Sequence, residues 1–93
     1  MSLLNKDSIE NHLKELNNWD YLNNQIEKEF LFKDFVEAIA FVTSVGLEAE
    51  KINHHPDILI HSWNKVKVTI STHSEGGVTE KDFQLAEKIE ARI

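Results

Sequence analysis

The chain has 93 residues, 41% hydrophobic and 28% charged, which suits one globular domain over 1–93 with a single core. It contains no cysteine, so disulfides, thiolate catalysis and thiolate metal ligation are excluded. A net charge of -6 repels phosphate backbones and anionic bilayers, so neither nucleic acid nor membrane is an expected partner, whereas a neutral small molecule is not penalised.

Met1 to Glu10 carries neither a basic cluster nor a long apolar run, so no secretory signal is expected there. No segment approaches the roughly 20 apolar residues of a membrane span. With the missing cysteine, this is compatible with a reducing, cytoplasmic setting. Repeats, low-complexity tracts and linkers are absent, and Pro56 is the sole proline.

Asp7-Ser8-Ile9-Glu10 reads as a helix start, with Asp7 as the cap and Glu10 three residues on, as in a capping box. Ile9, Leu13 and Leu16 recur at helical spacing, and Asn17 or Asn18 can close the helix in the left-handed conformation. Trp19 to Leu22 is a short strand, Asn23-Asn24 a tight turn and Gln25 to Phe32 its partner strand, with Ile26, Phe30 and Phe32 on one side. Phe35 to Ile52 fits a long helix. Phe35, Ile39, Val42, Ala49 and Ile52 form its expected apolar stripe, widened by Val36, Ala40, Thr43 and Leu47. It must end near Asn53 or His54, because His55 precedes Pro56 and is pushed out of the helical region.

Asp57 to Trp63 and Lys65 to His73 are the next strands, the second with Val66, Val68 and Ile70 on one face. Ser74 to Val78 turns on Gly76-Gly77. Thr79 opens a last helix with Phe83, Leu85, Ala86 and Ile89 as its apolar positions. The order α-β-β-α-β-β-α, two hairpins separated by a helix, predicts an α+β fold: a four-stranded antiparallel sheet with helices packed on one face.

Chemistry concentrates in Glu50-Lys51-Ile52-Asn53-His54-His55-Pro56. Glu50 and His54, four apart at a helix end, share a face, so the carboxylate can fix the imidazole tautomer. Pro56 stiffens the corner that carries both histidines, and His73 ends a strand at the glycine turn, where sites are often built. Imidazoles near neutrality both give and take protons, so three of them in one cleft indicate proton transfer. A His-His pair at a helix end also has a plainer reading, as cations favoured by the helix dipole. Zinc ranks below acid–base work, because adjacent histidines are poorly placed to share one ion. His12 reads as a solvated surface residue, and His61 is given no role. Asp82 reads first as a helix cap, since Thr79-Glu80-Lys81-Asp82 resembles a capping box. Trp19 and Trp63 suit core or interface, with Trp19 also able to stack on a flat heterocycle.

The spaced string Glu50-x-x-x-His54-His55-Pro56, Trp63, His73, Asp82 resembles the signature of the pterin-4a-carbinolamine dehydratases. The flanks are similar too: Asn64-Lys65-Val66, Ser71-Thr72-His73 and Gly76 to Asp82, with Trp19 and Phe35–Ala40 upstream. Six residues separate Pro56 from Trp63, where many members have five and a tyrosine. The resemblance runs from about Trp19 to Ile89. It implies the same α+β fold, a homodimer or homotetramer formed through sheet edges and helix faces, and cofactor-free dehydration of a 4a-hydroxytetrahydropterin to the quinonoid dihydropterin. It further implies proton transfer by His54 and His73, pterin binding by His55, and a histidine oriented by Glu50. Asn53, Pro56, Thr72, Ser74 and Asp82 would lie at the ligand, with Trp19 walling the site. A regulatory dimerisation module, or a binder of another pterin on the same fold, is the alternative.

Overall fold

A computed structural model describes residues 2–93. The elements are α1 (Lys6–Lys14), β1 (Asp20–Leu22), β2 (Gln25–Leu31), α2 (Phe35–Lys51), β3 (Asp57–His61), β4 (Lys65–Ile70), a 3-10 turn (His73–Glu75) and α3 (Glu80–Glu90). This is the α-β-β-α-β-β-α order expected from the sequence. All strand pairs are antiparallel, in the spatial order β1-β2-β4-β3. Ile26, Phe30, Val66, Val68 and Ile70 turn to the helices and are buried. The alternate positions form the open face, where Lys67 pairs with Glu27 and His61 with Glu29. His61, given no role from sequence, thus ties one sheet edge to the strand two places away.

Several boundaries move. The cap of α1 is Asn5, whose side chain accepts from the Ser8 amide, and Asp7 lies within the first turn. The reason is upstream: the Leu4 amide donates to the Val78 carbonyl, which holds the chain extended until Asn5. The α-helix ends at Lys14, with the Glu15 and Leu16 amides reaching back only three residues, although Asn18 takes the left-handed conformation foreseen for an asparagine there (φ 64°). The β3–β4 hairpin turns at Ser62-Trp63, both with positive φ, so β3 ends at His61 and Trp63 is 65% exposed at the tip. Two successive positive φ values are the mark of the type I′ turn, which matches strand twist. β4 ends at Ile70 rather than His73, because the Thr72 amide pairs with Gly77 across a loop closed by Gly76 at φ 74°.

The face of α2 is the largest departure. Val42, Ala49 and Ile52 do turn inward, but the core contacts run through Ala38, Phe41 and Val45. Phe35, Val36, Ile39 and Leu47 are 52%, 76%, 43% and 54% exposed. α2 is apolar nearly all round, so two stripes fit the helical period equally well, and the surface of the sheet selects one. On α1, His12 is not simply solvated. Its ring packs 4.7 Å from that of Phe83 and Nδ1 donates to the Ser8 carbonyl. α3 keeps the expected core positions Phe83, Leu85, Ala86 and Ile89.

Candidate active site

Three elements meet where α2 ends. The Asn53 amide bonds to the Glu50 carbonyl and the His54 amide to the Ala49 carbonyl, with Asn53 left-handed at φ 50°. This pair of bonds is the Schellman motif, and it fixes the first backbone position after the helix. It also undoes the expected pairing of Glu50 with His54. Once Asn53 reverses the chain, His54 is no longer on the helix and its ring turns inward. There Nε2 lies 2.6 Å from Oδ1 of Asp82. Glu50 instead holds His55, with Nε2 to Oε1 at 2.6 Å on the exposed side of the corner. Pro56 then leads into β3. The adjacent histidines therefore occupy different surroundings: the His54 side chain is 11% exposed and that of His55 is 57% exposed.

Asp82 comes from α3. Thr79 is the N-cap, and Asp82 completes the capping box by accepting from the Thr79 amide through Oδ2 at 2.8 Å. Such caps contribute about 0.5–2 kcal/mol. The carboxylate is buried without exposure, so it must be surrounded by donors. Besides the Thr79 amide and the His54 ring it has the Thr72 hydroxyl, 2.9 Å from Oδ2. Thr72 belongs to the segment after β4 and is immediately followed by His73 and Ser74, both exposed.

Of the residues singled out from sequence, the structure therefore joins His54, Thr72 and Asp82 by direct hydrogen bonds. It sets Glu50, Asn53, His55 and Pro56 on the same corner, and His73 and Ser74 on the loop that Thr72 anchors. Trp19 lies elsewhere in the core. Its indole N–H donates to Glu90, which also holds Lys28, and its ring meets Phe30 edge-on. Glu90 is at the opposite end of α3 from Asp82, about 12 Å along the axis. Sequence reading placed Thr72 only at the ligand and Thr79 only at the start of the last helix. That their side chains form one buried cluster with Asp82 has a single signal in the sequence, the capping box, which does not reveal the third partner.

The arrangement offers one inward imidazole and two solvent-facing ones. A carboxylate accepts from Nε2–H, leaving the His54 Nδ1 lone pair available as a base. His55, held by Glu50, and His73 both lie on the solvent side, where a ligand can reach them.

A family model described as pterin 4 alpha carbinolamine dehydratase matches residues 2–92. A relative from Sulfolobus acidocaldarius, provisionally named a pterin-4-alpha-carbinolamine dehydratase, is 46% identical over 86 residues, 92% of this chain and 93% of its own. One of the same name from Roseiflexus castenholzii is 47% identical over 92 residues, 99% and 98% of the two chains. A crystal structure from Brucella melitensis, described as a transcriptional coactivator/pterin dehydratase, is similar with a TM-score of 0.90 and 39% identity over 95% of each chain. A pterin dehydratase-like protein identified as a RuBisCO assembly factor in the alpha-carboxysome has a TM-score of 0.68 over 81% of this chain and 88% of that one. At 19% identity it shows a shared fold only.

Proposed function

The chain belongs to the pterin 4 alpha carbinolamine dehydratase family, and on that premise we propose that it dehydrates a 4a-hydroxytetrahydropterin by histidine acid–base catalysis. The observation that carries the reading is the buried Asp82 carboxylate against Nε2 of His54, beside a loop that presents His73. An isolated surface histidine would have no need of such a partner.

The reaction breaks the bond between C4a and its hydroxyl oxygen and makes a carbon–nitrogen double bond. One proton goes to the leaving oxygen and one leaves a ring nitrogen, so the net proton count is zero and water departs. His54 and His73 are the proton-transfer pair. His54, its Nε2–H held by Asp82, acts through Nδ1. His55, oriented by Glu50, binds the pterin from the exposed side, with Asn53, Pro56, Thr72 and Ser74 shaping the edge of the site. Nothing in the proton balance requires a metal or a redox cofactor. Trp19 has no part in this proposal, since its side chain is buried in the core against Phe30.

The protein also associates with itself, as a homodimer or homotetramer. The support is the unpartnered face of α2: Phe35, Ile39 and Leu47 follow one another at intervals of four and then eight residues in one row, and each is at least 43% exposed. Rows at that spacing interlock with those of another helix.

The deciding measurement is stopped-flow dehydration of freshly generated 4a-hydroxytetrahydropterin, followed by ultraviolet absorbance. The wild type accelerates it and His54→Ala does not. A folded wild type without effect would leave a binding role as the better reading.

A further inference from the structure

Thr72 stands directly before His73, yet its side chain points away from solvent into the Asp82 cluster and is buried. Its hydroxyl lies 2.9 Å from Asp82 Oδ2 and 2.8 Å from the Thr79 hydroxyl. An ionised carboxylate can only accept, so the one hydroxyl proton of Thr72 goes to Asp82, and its contact with Thr79 is one that it accepts. Donation therefore runs from Thr79 through Thr72 to Asp82, where it meets the bond that the ring of His54 donates from the other side. Oδ2 serves the threonines and Oδ1 serves the histidine, so what Thr72 donates on one side alters how strongly the other side holds a proton.

We propose that Thr72 is a positioning residue of the reaction: its hydroxyl draws the Asp82 charge toward Oδ2, and so sets the protonation of His54. This rests on the dehydratase reading for its kinetic consequence, and on the hydrogen-bond path alone for its effect on His54. A donor at Oδ2 spreads the charge over both oxygens. Without it Oδ2 keeps only the Thr79 amide, more of the charge falls to Oδ1 beside the imidazole, and the protonated ring is favoured. A base held protonated is idle, so the loss should appear as a displaced pH dependence and not as a uniform drop.

The backbone of Thr72 has separate work. Its amide donates to the Gly77 carbonyl, and its carbonyl accepts from the Glu75 and Gly76 amides. Thr72→Val keeps these bonds and the side-chain shape while removing the hydroxyl. Charged groups on the elements that meet here are Asp82, Glu80 and Lys81 on α3, Glu48, Glu50 and Lys51 on α2, His55 on the corner, Asp57 on β3, and His73 and Glu75 on the 3-10 turn. All persist in the variant, so a displacement relative to wild type reports the hydroxyl.

The test pairs two readouts on Thr72→Val, Thr72→Ser and wild type: the pH profile of kcat/KM, and NMR titration of the isotope-labelled His54 ring. In Thr72→Val the acid limb is expected to move to higher pH, and the ring titration to move the same way. Thr72→Ser should restore both. Superimposable ring titrations in folded Thr72→Val and wild type overturn the proposal, whatever the activity. If the ring titration moves but wild type dehydrates no pterin, the role of Thr72 in setting His54 stands and the dehydratase reading falls. Should valine prevent folding, Thr72→Ala removes the same hydroxyl without adding bulk and is judged by the same two measurements.

Discussion

His54 and Asp82, 28 residues apart in the chain, are joined by a 2.6 Å hydrogen bond from an imidazole just past the end of α2 to a carboxylate in the first turn of α3. The same carboxylate caps α3 through the Thr79 amide. One side chain therefore holds a helix start and a histidine in register, and a change in either disturbs the other.

Replacing Asp82 by asparagine tests that double duty. The amide keeps the volume, but its N–H₂ group must face either the two donors at Oδ2 or the His54 ring at Oδ1, where the imidazole has to give up its Nε2 proton. The cost should be about 1–3 kcal/mol of stability, read from urea denaturation. Turnover should fall by at least about tenfold in the fraction that remains folded. A stability loss with unchanged turnover would mean that Asp82 is only a cap.

The histidines should separate kinetically. His54→Ala and His73→Ala are each expected to lower kcat by about 100-fold, the usual worth of one positioned acid or base. His55→Ala and Glu50→Gln should mainly raise KM, because that exposed pair acts in binding. Steady-state kinetics on all four, with circular dichroism to confirm folding, distinguishes the two classes. Equal loss of kcat in all four would erase the division of roles.

The two sides of α2 should differ sharply. Phe41 is buried against Phe30 and Phe32, so Phe41→Ala should cost about 3–5 kcal/mol. Val36 is 76% exposed, and Val36→Ala should change stability by no more than about 0.5 kcal/mol. Denaturant titration of both variants decides whether the buried stripe is the one described.

The outward row of α2 should govern assembly. Ile39→Glu combined with Leu47→Glu places charge on an exposed apolar row, which a folded monomer tolerates and a self-associated helix pair does not. Light scattering after size exclusion should show an oligomer for wild type and a monomer for the double variant. A wild type that is already monomeric, or a double variant that stays assembled, would dismiss this face as the interface.

His12 predicts a pH dependence of stability. Its bond to the Ser8 carbonyl raises the pKa above the ordinary imidazole value, outweighing the opposing effect of burial, and Glu80 adds to the rise. A raised native value favours the protonated ring in the fold. Its contribution is therefore complete below the unfolded value of about 6.5 and is lost as pH climbs through the higher native value. Thermal melts of His12→Gln should lose stability relative to wild type at pH 5.5 and much less at pH 8.5. A difference that is constant across pH would refute the linkage.

Much of this protein was settled by its local sequence. The alternation in 65–70, the paired asparagines at 23–24, the capping box from Thr79 to Asp82 and the proline after two histidines fix turns, strands and helix ends through short-range sterics and hydrogen bonds. That was enough for the order of elements, the fold class and the family resemblance. What lay beyond it depended on contacts between distant segments. An apolar helix such as α2 has no preferred face until a sheet is offered to it, so the inward side could not be read from periodicity. Asn5 became the cap of α1 because Leu4 is held by Val78. Glu50 and His54 share a face only on a continuous helix, and the left-handed Asn53 ends it one residue before His54. His54 then passes to Asp82, and Thr72 arrives from a third segment to complete the cluster. Spacing along a chain governs which groups are neighbours within one element. Only the packing of elements decides which carboxylate a histidine finally meets.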